Sequence, residues 1–169
     1  MSAKMTAIAD RIDRLTGAIG RAVAWLALAI VLVQFAVVIM RYALGIGSIW
    51  LQESILYAHA TVFLLAAAWT LRDGGHVRID IFYADATART KAVVDLLGAL
   101  LLLLPFMGVL AWYAWPYVVR SWLILERSHE VSGLPFVYLL KSLLLLFALT
   151  MALQGISQAI RACGVLWRL

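Results

Sequence analysis

Four long uncharged stretches limit this chain to a membrane architecture. Between Arg21 and Arg41 lie 19 residues without a charge, and Gln34 is the most polar of them. Between Glu53 and Arg72 lie 18 more, between Asp95 and Arg120 lie 24, and between Lys141 and Arg161 lie 19. At about 1.5 Å rise per residue, each stretch as a helix matches a bilayer core of about 30 Å. The composition agrees. Of 169 residues, 65% are hydrophobic and only 14% charged, with a mean hydropathy of +0.97. That excludes a soluble globular domain, which is roughly half apolar and about a quarter charged. It also excludes a disordered chain, which needs low hydrophobicity. Cys163 is the single cysteine, so no disulfide framework exists.

The reading is an all-α integral membrane protein with approximate spans 21–41, 50–71, 92–119 and 138–160. These make one membrane domain over residues 1–169, with no room for a second. The first span is retained, because its apolar stretch is too long for a signal peptide and no small-residue cleavage site follows. Orientation follows from basic residues in the short loops. The N-terminal segment, the loop after span two and the C-terminus together carry ten Lys and Arg, and the opposite side carries four. Both termini are therefore expected in the cytoplasm. Topology accounts for a pI near 9.7, so no nucleic-acid partner is expected.

Residues 1–21 read as an amphipathic helix, with Ile8, Ile12, Leu15 and Ile19 along one side. Such a helix lies in the headgroup region beside anionic membrane lipids. The alternative is that it extends span one. Ser48 is the expected N-cap of the second helix, and Asp73-Gly74-Gly75 its end. Asp85 or Thr87 is the expected cap of the third. Residues His76 to Ile81 alternate polar and apolar and are expected at the interface. Pro105 and Pro116 predict a kink in the third span. The run Leu134 to Leu140 either extends the fourth helix or packs separately at the outer surface.

The candidate chemistry is sparse. Glu53, Lys141 and Arg41 sit at the outer edges of their spans. Glu53 either pairs with Lys141 or Arg41, or each charge reaches the interface alone. His59 is the one histidine inside a span, and a haem site needs a second ligand at similar depth. A hydrogen-bonded histidine within the bundle is the plainer reading. Asp95 suits the first turns of the third helix. The tryptophans near span ends, Trp50 among them, suit an interfacial belt. No phosphate loop, nucleophile elbow or zinc spacing appears. The residues thus predict no enzyme, no cofactor, no metal site and no catalytic residues. They suit an accessory or scaffold subunit. No internal repeat is evident, which weighs against a self-contained transporter of inverted repeats. A haem-binding anchor subunit of a respiratory complex is the competing class. A small multidrug exporter is a third, but its acidic residue within the first span is missing.

Several segments together resemble a known family. The second span opens with Ile49-Trp50-Leu51-Gln52-Glu53, similar to the family's tryptophan and acidic residue at that place. Gly75-His76-Val77-Arg78-Ile79-Asp80 is similar to its His-Val-x-Val/Ile-Asp stretch. Ser128, Glu130 and Pro135 are similar to its Ser-rich, Pro-containing loop before span four. The chain resembles the small membrane subunit of tripartite ATP-independent periplasmic (TRAP) transporters, the DctQ-like family. Tyr83, Leu134-Pro135-Phe136-Val137-Tyr138 and Leu140-Lys141-Ser142 are closest to the mannitol/chloroaromatic-type branch. The resemblance implies a multi-pass protein of the bacterial inner membrane. It implies two protein partners: a large DctM-like elevator subunit driven by sodium, and a periplasmic substrate-binding protein, commonly for an organic acid. It further implies that Trp50, Glu53, His76, Arg78, Asp80 and Lys141 are structural or interface residues.

Overall fold

In the computed structural model, residues 3–76, 83 and 85–167 are described. All regular structure among them is helical: α1 (Ala3–Ala43), α2 (Ile49–Arg72), α3 (Ala88–Leu97), α4 (Leu104–Leu123) and α5 (Val137–Leu166). A π-helical segment, Gly98–Leu103, joins α3 to α4 without a break. The result is 4 continuous helical rods long and apolar enough to cross a membrane.

The helix ends form where the sequence signals them. Ser48 accepts the Leu51 amide at 3.4 Å and starts α2. At its far end Gly74 adopts φ +67°. The Gly75 amide then reaches the Thr70 carbonyl at 2.9 Å and the Gly74 amide reaches Leu71 at 3.2 Å. This is the paired closure that a left-handed glycine permits. Thr87 caps α3 by accepting the Thr90 amide at 3.2 Å. The residues from Val77 to Ile81, with the alternating pattern, lie outside the described ones.

Three expectations change. Residues 3–21 are not a separate interfacial helix; they are the first turns of the unbroken α1. The side they bury is also different. Ala9 and Thr16 are covered, whereas Ile8 and Leu15 stay about half exposed. Small residues win that face because they let α5 approach closely. The second concerns the form the chain takes at Pro105, where the sequence predicts a kink and the structure shows a π-helical segment. Proline has no amide to offer the carbonyl four residues back. The chain widens into the π-helical segment before it, and the Leu104 amide reaches back to Ala99. α4 then runs through Pro116. The third concerns Leu134 to Leu140. Helix α5 begins only at Val137, and Leu134 is buried in the loop before it.

α5 is the hub. α1, α2, α3 and α4 all pack on it, α1 packs on α2, and no close backbone approach links the α1–α2 pair to α3 or α4. The small core is built from Ala68 on α2, Met107 on α4, and Ala148 and Met151 on α5. Gly20 on α1 marks a close crossing with α2. A Cβ there would sit 2.5–2.6 Å from atoms of Trp69 on α2. Most large apolar side chains point outward, among them Phe35, Phe63, Leu102 and Trp112. That distribution suits lipid as solvent, where small residues and polar ties hold helices together.

Candidate functional site

The antiparallel rods create two ends. The loop end gathers residues 44–53 and 121–141. The terminal end gathers residues 3–20, 70–76, 83–92 and 154–167. A polar cluster ties the helices at each.

At the loop end, the Glu53 carboxylate on α2 clasps the loop before α5. It accepts the Leu134 amide at 2.5 Å and the Ser128 hydroxyl. The Ser128 amide in turn donates to the Leu134 carbonyl at 3.2 Å. Glu53 pairs with neither Lys141 nor Arg41. Lys141 instead binds Glu126 at 2.5 Å, and its ammonium lies 4.0 Å from the centre of the Tyr117 ring. The Lys141 ammonium holds the Glu126 carboxyl below the ordinary glutamate range. The reason for the exchange of partners is reach. Leu125 takes a left-handed φ of +46° as α4 ends, and Glu126 follows directly beside the α5 start. Trp122 extends the tie by donating to Ser142 at 2.8 Å and meeting Tyr138 edge-on at 4.7 Å.

The terminal end holds a network that the sequence reading missed. Asp13 on α1 is its centre. It accepts Ser157 at 2.6 Å, Gln154 at 3.0 Å and Arg161 at 2.9 Å, all from α5. Thr16 donates to the Gln154 side-chain oxygen at 2.8 Å. Arg161 also bridges to Asp10 at 2.8 Å. From α2, Arg72 donates to the Asp13 carbonyl at 2.9 Å, and Gln158 donates to the Leu71 carbonyl at 3.1 Å. Thr16, Gln154 and Ser157 are almost fully buried. Three helices are thus joined by side chains whose polar atoms find one another rather than water.

The remaining expected residues are dispersed. Trp50 is about half exposed at the start of α2. His76 is exposed just past the end of α2. Arg78 and Asp80 lie outside the described residues. Asp95 accepts the Tyr83 hydroxyl at 2.9 Å. His59 corrects an expectation: it faces out of the bundle and lies parallel to Phe63, with ring centres 6.5 Å apart. Among the described residues, no group of three or more metal-binding side chains converges.

Both clusters connect helices to helices or to the adjoining loop. The class defined is an α-helical, multi-pass membrane protein whose polar groups fasten its own scaffold. Residues 30–164 match the family described as Tripartite ATP-independent periplasmic transporters, DctQ component, and the chain belongs to that family. Its members are the small membrane subunits of TRAP transporters, which are transport components and not enzymes. The family match gives the haem-anchor reading no support. Comparison with curated proteins and with solved structures gave no match.

Proposed function

We propose that this chain is a stationary brace for the large membrane subunit of a TRAP transporter. In this reading the large subunit works as an elevator, driven by a sodium gradient. It takes up an organic acid or similar small solute that a periplasmic binding protein delivers. The chain is one membrane unit over residues 1–169, with both termini cytoplasmic. The wording of Tyr83 and of Leu134 to Ser142 favours the mannitol/chloroaromatic-type branch.

The observation that carries the proposal is the pair of polar ties at opposite ends of α5, within a family of small TRAP subunits. An elevator needs a fixed frame while one domain slides. A bundle fastened at both ends resists shear between its own helices. Its wide apolar exterior adds frame area within the bilayer. In this role Trp50, Glu53, His76, Arg78, Asp80 and Lys141 act as structural or interface residues, with no part in substrate chemistry.

The test has two parts. The tagged chain is extracted from native membranes in mild detergent and its companions identified. The chain is also deleted, and sodium-dependent uptake measured with the large subunit still present. The expected result is a stoichiometric large polytopic partner and loss of uptake. Full uptake without this chain would refute the brace.

A further inference from the structure

Beyond its first turn, α2 leaves a single narrow stripe outside the bundle. The exposed residues are Gln52, Leu56, His59, Phe63 and Thr70. Their spacings are four, three, four and seven, so they share one face of the helix. The rest of α2 is at least partly covered by α1 and α5.

That stripe is chemically out of place in lipid. His59 stands ten residues beyond Ile49 in a helix of 24 residues. This puts it about 15 Å along the helix, near its middle. An imidazole cannot reach either interface from there. Its one contact of note is the Phe63 ring, which offers stacking and no hydrogen bond. The Gln52 carboxamide, two turns nearer the loop end, is exposed and makes no hydrogen bond with any described residue. α1 adds a third group. Gln34 is exposed nine residues before the end of α1 at Ala43. Because α1 and α2 run antiparallel through a short turn, Gln34 and His59 lie at the same level. Lipid tails supply neither donors nor acceptors, so such groups are costly when left facing hydrocarbon. The neighbouring exposed residues of α1 are apolar, as at Val31, Leu32, Phe35 and Val38.

We infer that the Gln52–Leu56–His59–Phe63 stripe seats a transmembrane helix of the large subunit, and that this helix hydrogen-bonds His59 in the bilayer interior. The inference rests on the reading of the chain as a brace. Leu56 and Phe63 flank His59 and supply the apolar contact that such a crossing needs. Only a membrane-embedded partner can offer a polar group at that depth. A soluble binding protein cannot reach it.

The test uses the assembled complex in native membranes. The photo-crosslinking residue benzoylphenylalanine replaces Leu56 or Phe63, and the adduct is identified by mass. The expected adduct is the large subunit at both positions. In parallel, His59→Leu is expected to lower the large subunit recovered per folded chain by roughly threefold to tenfold, the loss of one interhelical hydrogen bond. His59→Gln, which keeps a donor and an acceptor, is expected to retain most of it. Lipid-only adducts, or a dimer of this chain, would overturn the seat while leaving the brace intact, provided the tagged wild type still recovers the large subunit. Undiminished recovery with His59→Leu would overturn it equally. A tagged wild type that recovers no large subunit would remove both the brace and the seat.

Discussion

Asp13→Ala is the substitution that most directly probes how the bundle is held. It deletes the acceptor shared by Gln154, Ser157 and Arg161. The losses differ by partner. The Gln154 amide is about 1% exposed, and stranding it costs about 1–3 kcal/mol. The Ser157 hydroxyl keeps an alternative acceptor in the Ala9 carbonyl at 3.4 Å, so its share is small. Arg161 is half exposed at 52% and retains Asp10, which limits its share to under about 1 kcal/mol. The sum is about 1–4 kcal/mol. Three interhelical hydrogen bonds at the membrane average of about 0.6 kcal/mol each fall within that range. The assay is reversible unfolding of the purified protein in mixed micelles of mild detergent and dodecyl sulfate, followed by far-UV circular dichroism. Asp10→Ala is the control, because Asp10 is 57% exposed and touches Arg161 alone among the α5 residues. It should cost well under 1 kcal/mol. A loss below about 0.5 kcal/mol for Asp13→Ala, or an equal loss for both variants, would refute the argument that the buried network fastens α1 to α5.

Gly20→Ala should destabilise by about 1–3 kcal/mol, because its Cβ would overlap Trp69. Gly108→Ala, where a Cβ meets nothing within 4 Å, should instead stabilise by up to about 1 kcal/mol in the same unfolding assay. Glu53→Gln puts an amide where two donors converge, so exchange of the Leu134 amide should quicken roughly tenfold to hundredfold in hydrogen–deuterium exchange. The Glu126 carboxyl is held low by Lys141, so its stabilising share is present above its ordinary value of 4.5 and is lost as the pH falls through its lower folded value. Thermal melts should therefore decline toward acid pH, and Glu126→Gln should flatten that decline.

What the sequence revealed depends on where the signals lie. The long helices were legible because Arg21, Arg41, Glu53, Arg72, Arg120, Lys141 and Arg161 bracket uncharged runs. Ser48, Thr87 and Gly74 were legible because caps act on neighbours within a few residues. The partners of Glu53 were not, since one of them is the backbone amide of Leu134, and a main-chain donor leaves no mark in composition. The Asp13 network was hidden for another reason. Gln154 and Ser157 sit inside an uncharged stretch and read as tolerated polar residues. A signal did exist: Gln154, Ser157, Gln158 and Arg161 share one face, and Asp10 and Asp13 share another. Pairing those faces required knowing that α1 continues unbroken to its N-terminus and crosses α5 there. His59 was misplaced because one histidine carries no azimuth. Its direction is set by which side of α2 the small residues, such as Ala68, bury.

The position of the two ties bears on what the bundle can do. In lipid, apolar contact between helices gains little over contact with acyl chains. A bundle with a core as small as Ala68, Met107, Ala148 and Met151 must therefore be fixed by direction-dependent bonds. Placing them at one end would leave the other free to splay about that hinge. Here Asp13 binds α1 to α5 at the terminal end, with Arg72 drawing in α2. Glu53 and Lys141 close the loop end, where they hold α2 to the 128–134 loop and α5 to Glu126. Sliding α2 along the bundle would break bonds at both ends together, while α1 is held to α5 at the terminal end and the α4 end at the loop end. The cost of sliding α2 is then the sum of two clusters, while the outward faces remain free to meet lipid or a partner. That is the mechanical property the proposed stationary frame requires, and it arises from polar groups that tie helix to helix and helix to loop.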